Sequence, residues 1–348
     1  MKKIDIKKLI DNKPFIVAEV SANHQQDKDK AKMLIDIASE SGADAVKFQT
    51  FRPDSLTLDS EKENFILQQD SNWSGRSLYS LYSEAATPFE WHQELFDYSK
   101  EKKIIPFTSV FSIKDIEFLE SINCEIYKIA SYETNDIELV EEVAKIGKPV
   151  ILSVGGCTEE EVAEAIKILH KYLNDNFVIL NCLSAYPAPI SDFSFGRTTR
   201  LIEEFNVLTG LSDHSNNPYA ALITLALGGT VFEKHIMLED ENSNKPLDKD
   251  FSSTKQDFTD YINSIKQAFD ALQEDKFQPM PSENSNLILK RSIYSTKKIE
   301  TGEKFTTENT RSIRPADGLH PHRYKELLGK KSKREIDAST PIKESDIE

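Results

Sequence analysis

The chain has 348 residues, 39% of them hydrophobic and 29% charged, the balance of an ordinary soluble globular protein. Lys and Arg number 43 against 58 Asp and Glu, and the formal net charge of −15 argues against partners such as nucleic acid or an anionic membrane. Cys124, Cys157 and Cys182 show no CxxC spacing, which argues against a disulfide framework or a zinc cluster and favours a reduced cytoplasmic setting.

Residues 1–8 have the basic start of a signal peptide but not its apolar core, and no stretch approaches the roughly 20 apolar residues of a membrane span. Strand-like apolar runs follow near 15–20, 43–50, 104–109, 126–130, 149–154, 177–183, 207–211 and 230–235, alternating with helical patterns. The first run ends in Glu19, and Ala31, Leu34, Ile35 and Ala38 then mark one buried helical stripe. The second ends in Lys47 and Gln49. A long connection, about 52–103, precedes the third, and a loop of that length is expected to carry function.

The third run ends in Ser109 and the fourth in Lys128 and Ser131. Asn135 is placed to cap a helix through Ile137, Val140 and Ala144 that Gly147 and Pro149 stop. After Ser153 ends the fifth run, Thr158 and Glu161 form a capping box ahead of the next helix. The sixth run leads to Ser184 and Tyr186, the seventh to Ser212 and His214, the eighth to Glu233 and His235. A closing helix is predicted through Phe258, Tyr261, Ile262, Ile265, Phe269 and Leu272. The pattern then breaks into a Pro- and Asn-containing linker, and short β-like pieces with turns make up the remainder. Eight strands ending in polar groups describe a catalytic barrel mouth, that of a TIM (β/α)8 barrel over 1–275, with a linker at 276–289 and a small mostly-β domain at 290–348.

His214 and His235 end neighbouring predicted strands, so their imidazoles can converge to hold a divalent metal that polarises a carbonyl. The alternative is a pair of ordinary hydrogen-bonded strand-end histidines, the reading given to His92 and His170 on their helices. Lys47 and Lys128 should point into the mouth, where a buried ammonium needs a counter-charge. A phosphate or carboxylate, helped by hydroxyls of Ser109, Ser131, Ser153 and Ser212, is one candidate. Structural pairing with Glu19, Glu133 or Glu233 is another, and a Schiff-base lysine a third. Glu19, Gln49, Tyr186 and Asp248 suit sugar hydroxyls and amides, with Glu19 also a candidate general base.

Read together, these residues resemble the N-acetylneuraminate synthase family over nearly the whole chain. Ala18–His24 resembles its AExxxNH opening, Lys47–Thr50 its KxQT, Tyr127–Ser131 its YKI(A/G)S and Gly147–Ser153 its GKPxILS. Gly210–His214 and Glu233–His235 match GLSDH and EKH. The C-terminal piece resembles the family's antifreeze-like (SAF, β-clip) domain, with Ile313-Arg314-Pro315 and Gly318 at its signature. Trp73–Tyr79, Glu84–Trp91 and Ser184–Pro189 are most similar to the family's pseudaminic acid synthase branch, and Val154–Cys157 departs from the usual TGMA.

The resemblance implies a transferase that condenses phosphoenolpyruvate with an acylated amino sugar. Phosphoenolpyruvate would be held by Lys47, Ser109, Lys128, Ser131, Ser153, Ser184 and Ser212, and the sugar by Glu19, Gln49, Tyr186, Asp248 and Arg314. His214 and His235 would hold Mn²⁺, or Mg²⁺ or Co²⁺, with Glu19 and Glu233 catalytic beside them. Arg314 would reach the barrel of a partner subunit in a domain-swapped homodimer. The competing readings are a sialic or legionaminic acid synthase of the same chemistry, a non-catalytic sugar-binding barrel, and a lysine aldolase acting through Lys128.

Overall fold

Eight short apolar segments pair in parallel and in chain order: β1 (Phe15–Glu19), β2 (Ala45–Thr50), β3 (Ile105–Val110), β4 (Tyr127–Ile129), β5 (Val150–Ser153), β6 (Phe177–Cys182), β7 (Leu208–Asp213) and β8 (Val231–His235). β1 pairs with both β2 and β8, so the sheet closes into the barrel that the alternating pattern predicts. This computed structural model describes residues 4–11, 13–68, 73–239, 246–272 and 277–348.

The helices are α1 (Ile6–Leu9), α2 (Lys28–Ser41), α3 (Pro53–Leu56), α4 (Leu78–Ala85), α5 (His92–Glu101), α6 (Ile116–Ser121), α7 (Ile137–Lys145), α8 (Glu159–Leu173), α9 (Gly196–Glu203), α10 (Tyr219–Ala226) and α11 (Lys255–Leu272). Among the described residues no helix is long and apolar enough to cross a membrane. α2 buries the predicted stripe of Ala31, Leu34, Ile35 and Ala38, and ends at Gly42, whose φ of 88° a side chain would resist. The Thr158–Glu161 capping box forms as read, with reciprocal hydrogen bonds of 3.3 and 2.8 Å.

One helix expectation is corrected. Asp136, not Asn135, caps α7: it directly precedes the first helical residue, so its Oδ1 reaches the Leu139 N–H at 3.1 Å. The closing helix forms as read through Leu272, with Phe258, Tyr261, Ile262 and Ile265 buried, Phe269 packed against the core and Leu272 exposed. His92 behaves as an ordinary core histidine: its Nδ1–H donates to Pro88 O at 3.1 Å and Nε2 meets Thr50 Oγ1 at 2.6 Å.

Residues 1–274 and 275–348 form two compact units. In the second, β9 (Ser292–Ser295) and β10 (Thr310–Ile313) pair antiparallel, followed by α12 (Tyr324–Leu327). Ile293, Ile299, Phe305, Leu327, Ile336 and Ile342 form its small core. Within the predicted linker, Pro281–Leu289 is a 3₁₀ helix, while residue 276 lies outside the described residues.

Candidate active site

Side chains of a strand alternate between its faces. Inward positions at the C-terminal ends of the barrel strands therefore converge on one cavity of about 610 Å³. Lys47 and Gln49 enter it from β2, Ser109 from β3, Lys128 from β4, Ser153 from β5, Cys182 from β6, Ser212 from β7, and Glu233 and His235 from β8. Gly210 serves this convergence: a Cβ there would lie 2.0 Å from Val231 O, so only glycine lets β7 approach β8 this closely. Opposite, a Cβ on Gly155 would collide with Ser184 Oγ at 2.3 Å and crowd Ser131 Oγ and Cys182 Sγ at 3.0 Å. That bare backbone leaves room for a cluster of small polar side chains and donates its N–H to Ser131 Oγ at 3.0 Å.

The two lysines are differently placed. Lys47 Nζ lies 2.6 Å from Glu19 Oε2 and 3.5 Å from Glu233 Oε1, and donates to Ser109 Oγ at 3.1 Å. The structural counter-charge considered from the sequence is therefore present for Lys47. Burial alone would lower its pKa, but the two carboxylates carry it above the ordinary lysine value. Lys128 donates to Ser153 Oγ at 2.7 Å and to Ile129 O at 3.1 Å, with Glu233 only at 3.9 Å. Burial and the charge of Lys47 leave it below the ordinary value despite Glu233. Glu233 itself, pushed up by burial, is brought below the carboxylate range by the two lysines.

The imidazoles of His214 and His235 lie with ring centroids 5.3 Å apart. Nδ1 of His214 must donate to Leu183 O at 3.1 Å, since a carbonyl only accepts, so in the neutral ring Nε2 carries the lone pair. Nδ1 of His235 lies 3.5 Å from Asp248 Oδ2 without a hydrogen bond between them, so a carboxylate stands beside this ring. Burial raises the Asp248 carboxyl, but His235, Ser21 and the Ala22 backbone together hold it below its usual range. Phe251 stands 4.9 Å from the His235 ring and Tyr186 4.5 Å from the His214 ring, an apolar collar around the pair.

These residues fit a divalent cation. Two buried imidazoles, His214 held through Nδ1 and His235 with Asp248 beside its Nδ1, are suitable donors, and Glu19, Glu133, Glu233 and Asp248 outnumber Lys47 and Lys128 around the cavity. A multiply charged anion entering this site needs more positive charge than the lysines supply. Among the described residues no three His, Cys, Asp or Glu side chains form a metal-binding group.

The structure brings Lys47, Ser109, Lys128, Ser131, Ser153, Ser184, Ser212, Gln49, Tyr186, Asp248, Glu233, His214 and His235 to the cavity lining. Glu19 lies just beneath it, accepting from Gln49 Nε2 at 2.8 Å while it pairs with Lys47. Arg314 belongs to the second unit, where it is exposed. Sequence reasoning did not assign Cys182 or Ser21, and treated Glu133 only as a counter-charge. Cys182 ends β6 two residues before Ser184, a period-2 signal that could have found it. Glu133 lines the cavity just after β4, and burial pushes its carboxyl up to about 7.

The long connection after β2 supplies the remaining wall. Leu56 on α3, Leu81 and Tyr82 on α4, and Leu67 and Trp73 between them all line the cavity. Trp73 Nε1 donates to Leu247 O at 3.1 Å, joining the connection after β2 to the segment after β8.

Comparison with known proteins agrees with this geometry. Residues 34–277 match the NeuB family and residues 290–348 match the SAF domain. The protein named pseudaminic acid synthase in Campylobacter jejuni is 43% identical over 337 residues, which cover 97% of this chain and 97% of that protein. Its namesake in Helicobacter pylori is 40% identical, covering 96% of this chain and 98% of that protein. The crystal structure of the N-acetylneuraminic acid (sialic acid) synthetase of Leptospira borgpetersenii in complex with citrate matches with a TM-score of 0.68 at 27% identity, covering 79% of this chain and 90% of that one. The resemblance carried by the six barrel motifs and the C-terminal piece is thus borne out.

Proposed function

The chain belongs to the NeuB family, and from that premise we propose that it is a pseudaminic acid synthase, condensing phosphoenolpyruvate with 2,4-diacetamido-2,4,6-trideoxy-altropyranose. The observation that carries this reading is one cavity holding two buried lysines, a row of hydroxyls and two buried imidazoles, one held through Nδ1 by Leu183 O and the other facing Asp248. The choice of sugar rests on 40–43% identity to proteins named for that activity.

Phosphoenolpyruvate binds through Lys128 and Lys47, with Ser109, Ser131, Ser153, Ser184 and Ser212 donating to its phosphate and carboxylate oxygens. Its enol carbon attacks the aldehyde carbon of the open-chain sugar, water adds at C2 of the resulting cation, and phosphate leaves by C–O cleavage. His214 and His235 hold Mn²⁺ or a similar divalent ion, which when bound polarises the sugar aldehyde. Glu19 orients Gln49 toward the sugar and is the proposed proton-transfer group. Glu233 orients the incoming water, and Tyr186 and Asp248 contact the sugar at the rim. Trp73, Tyr186 and Phe251 keep bulk water away, which strengthens every charge interaction inside. Alignment of two bound reactants contributes several kcal/mol, about as much as carbonyl polarisation.

Arg314 is proposed to complete the sugar site of a partner subunit in a domain-swapped homodimer, a reading supported by its exposure and by its place in the SAF domain. The free thiols of Cys124, Cys157 and Cys182 support a reducing, cytoplasmic setting. The test is phosphate release from phosphoenolpyruvate with the trideoxy sugar and with N-acetylmannosamine, each with and without chelator. Preference for N-acetylmannosamine defeats the choice of sugar, and binding without turnover of either defeats the enzyme reading.

A further inference from the structure

Asp213 and Lys234 stand in the GLSDH and EKH motifs, yet neither lines the cavity. Each directly precedes one of the two histidines, and they are register partners across β7 and β8. Both are buried, Asp213 at 0% and Lys234 at 3% exposure, on the opposite strand face from Ser212 and Glu233. A buried ammonium and carboxylate behind a site are expensive to keep unless they hold something.

What Lys234 holds is the backbone on either side of His214. Its Nζ donates to Ser215 O at 2.5 Å and to Asp213 O at 3.4 Å. Asp213 Oδ1 accepts the Ser215 N–H at 2.8 Å, and Ser215 Oγ donates to Asn217 O at 3.0 Å, so the turn after His214 is fixed at both ends. The Tyr261 ring of α11 backs the ammonium, its centroid 5.4 Å from Nζ. One side chain from the residue before His235 thus binds the carbonyls of the two residues on either side of His214.

We infer that Lys234, with Asp213 as the other half of the clamp, is a positioning residue that sets the spacing of the two imidazoles for a shared cation. The inference rests on the proposed metal role of His214 and His235. A backbone clamp suits that task because the ligand spacing must hold within tenths of an ångström, while cavity side chains are free to serve the substrates.

The test uses the full-length protein stripped of metal by chelation. Mn²⁺ binding is measured by titration calorimetry, and coordination is read from the visible absorption bands of the Co²⁺-loaded protein. Lys234→Met keeps the length of the side chain and removes its donors. It should fold, bind Mn²⁺ about 10- to 100-fold more weakly and alter the Co²⁺ bands. Asp213→Asn, which keeps shape and an acceptor oxygen, decides the matter if the first variant does not fold, with an expected loss of about 3-fold or more. Mn²⁺ affinity and Co²⁺ bands like wild type in the folded variant overturn the inference. Absence of Mn²⁺ uptake by wild type, or uptake unaffected by His214→Ala, instead overturns the histidine reading on which it stands.

Discussion

Lys47 Nζ lies 2.6 Å from Glu19 Oε2, and neither side chain is more than 4% exposed. A buried ion pair of this kind tolerates the loss of one partner poorly, because the survivor keeps its charge without water. Lys47→Met should therefore lower the free energy of unfolding by about 3–5 kcal/mol in urea titration. Lys128→Met should cost less stability, since Glu233 keeps Lys47 at 3.5 Å and Ser212 at 3.2 Å, while raising KM for phosphoenolpyruvate about 10-fold or more. Equal stability losses in the two variants would contradict this division of labour.

Divalent metal removal should reduce turnover by about 100-fold or more, the kinetic equivalent of several kcal/mol of lost carbonyl polarisation. Added Mn²⁺ should restore wild type but not His214→Ala or His235→Ala. Steady-state phosphate release before and after chelation checks this, and undiminished turnover of the stripped enzyme would remove the metal from the reaction.

His24 and His92 are buried, and burial lowers each imidazole from 6.5 to about 4. Between those values the unfolded chain binds protons that the folded chain does not, so stability is complete above pH 6.5 and falls as pH drops toward 4. The loss is up to about 3 kcal/mol for each ring. Thermal melting across this range should show the decline, and His92→Gln should lessen it; a flat profile in wild type would count against neutral burial of these rings.

Trp73 joins the connection after β2 to Leu247 and stands 6.0 Å from the Tyr186 ring. Trp73→Ala should raise KM for the sugar about 10-fold while leaving KM for phosphoenolpyruvate within about 2-fold, because the two lysines stand on the barrel strands β2 and β4 rather than on the connection that carries Trp73. A matching rise in both constants would mean that this wall supports the whole cavity rather than the sugar end.

Mixing Arg314→Ala chains with His214→Ala chains tests the swapped dimer. Random exchange gives half heterodimers, each with one intact hybrid site, so about one quarter of wild-type activity should return. Failure to recover activity after demonstrated subunit exchange would assign Arg314 no role across the subunit boundary.

The sequence by itself determined the barrel and most of the candidate site. Period-2 alternation is local, so apolar runs that end in Lys47, Lys128, His214 and His235 already declare strands and the face on which their polar ends stand. Capping is local as well, although a one-residue ambiguity let Asn135 stand for Asp136. Only the tertiary structure decided how these groups are paired. Glu19 is 28 residues from Lys47, Lys234 is 19 from Ser215 and Trp73 is 174 from Leu247, and no local pattern records such distances. Barrel closure brings β8 beside β1 and Glu233 within 3.5 Å of Lys47, while the pairing of β7 with β8 places the backbone beside His214 within reach of Lys234. The physical reason is that side-chain alternation is a property of each strand, whereas the partner of a buried charge is set by strands that meet only when the whole sheet has closed.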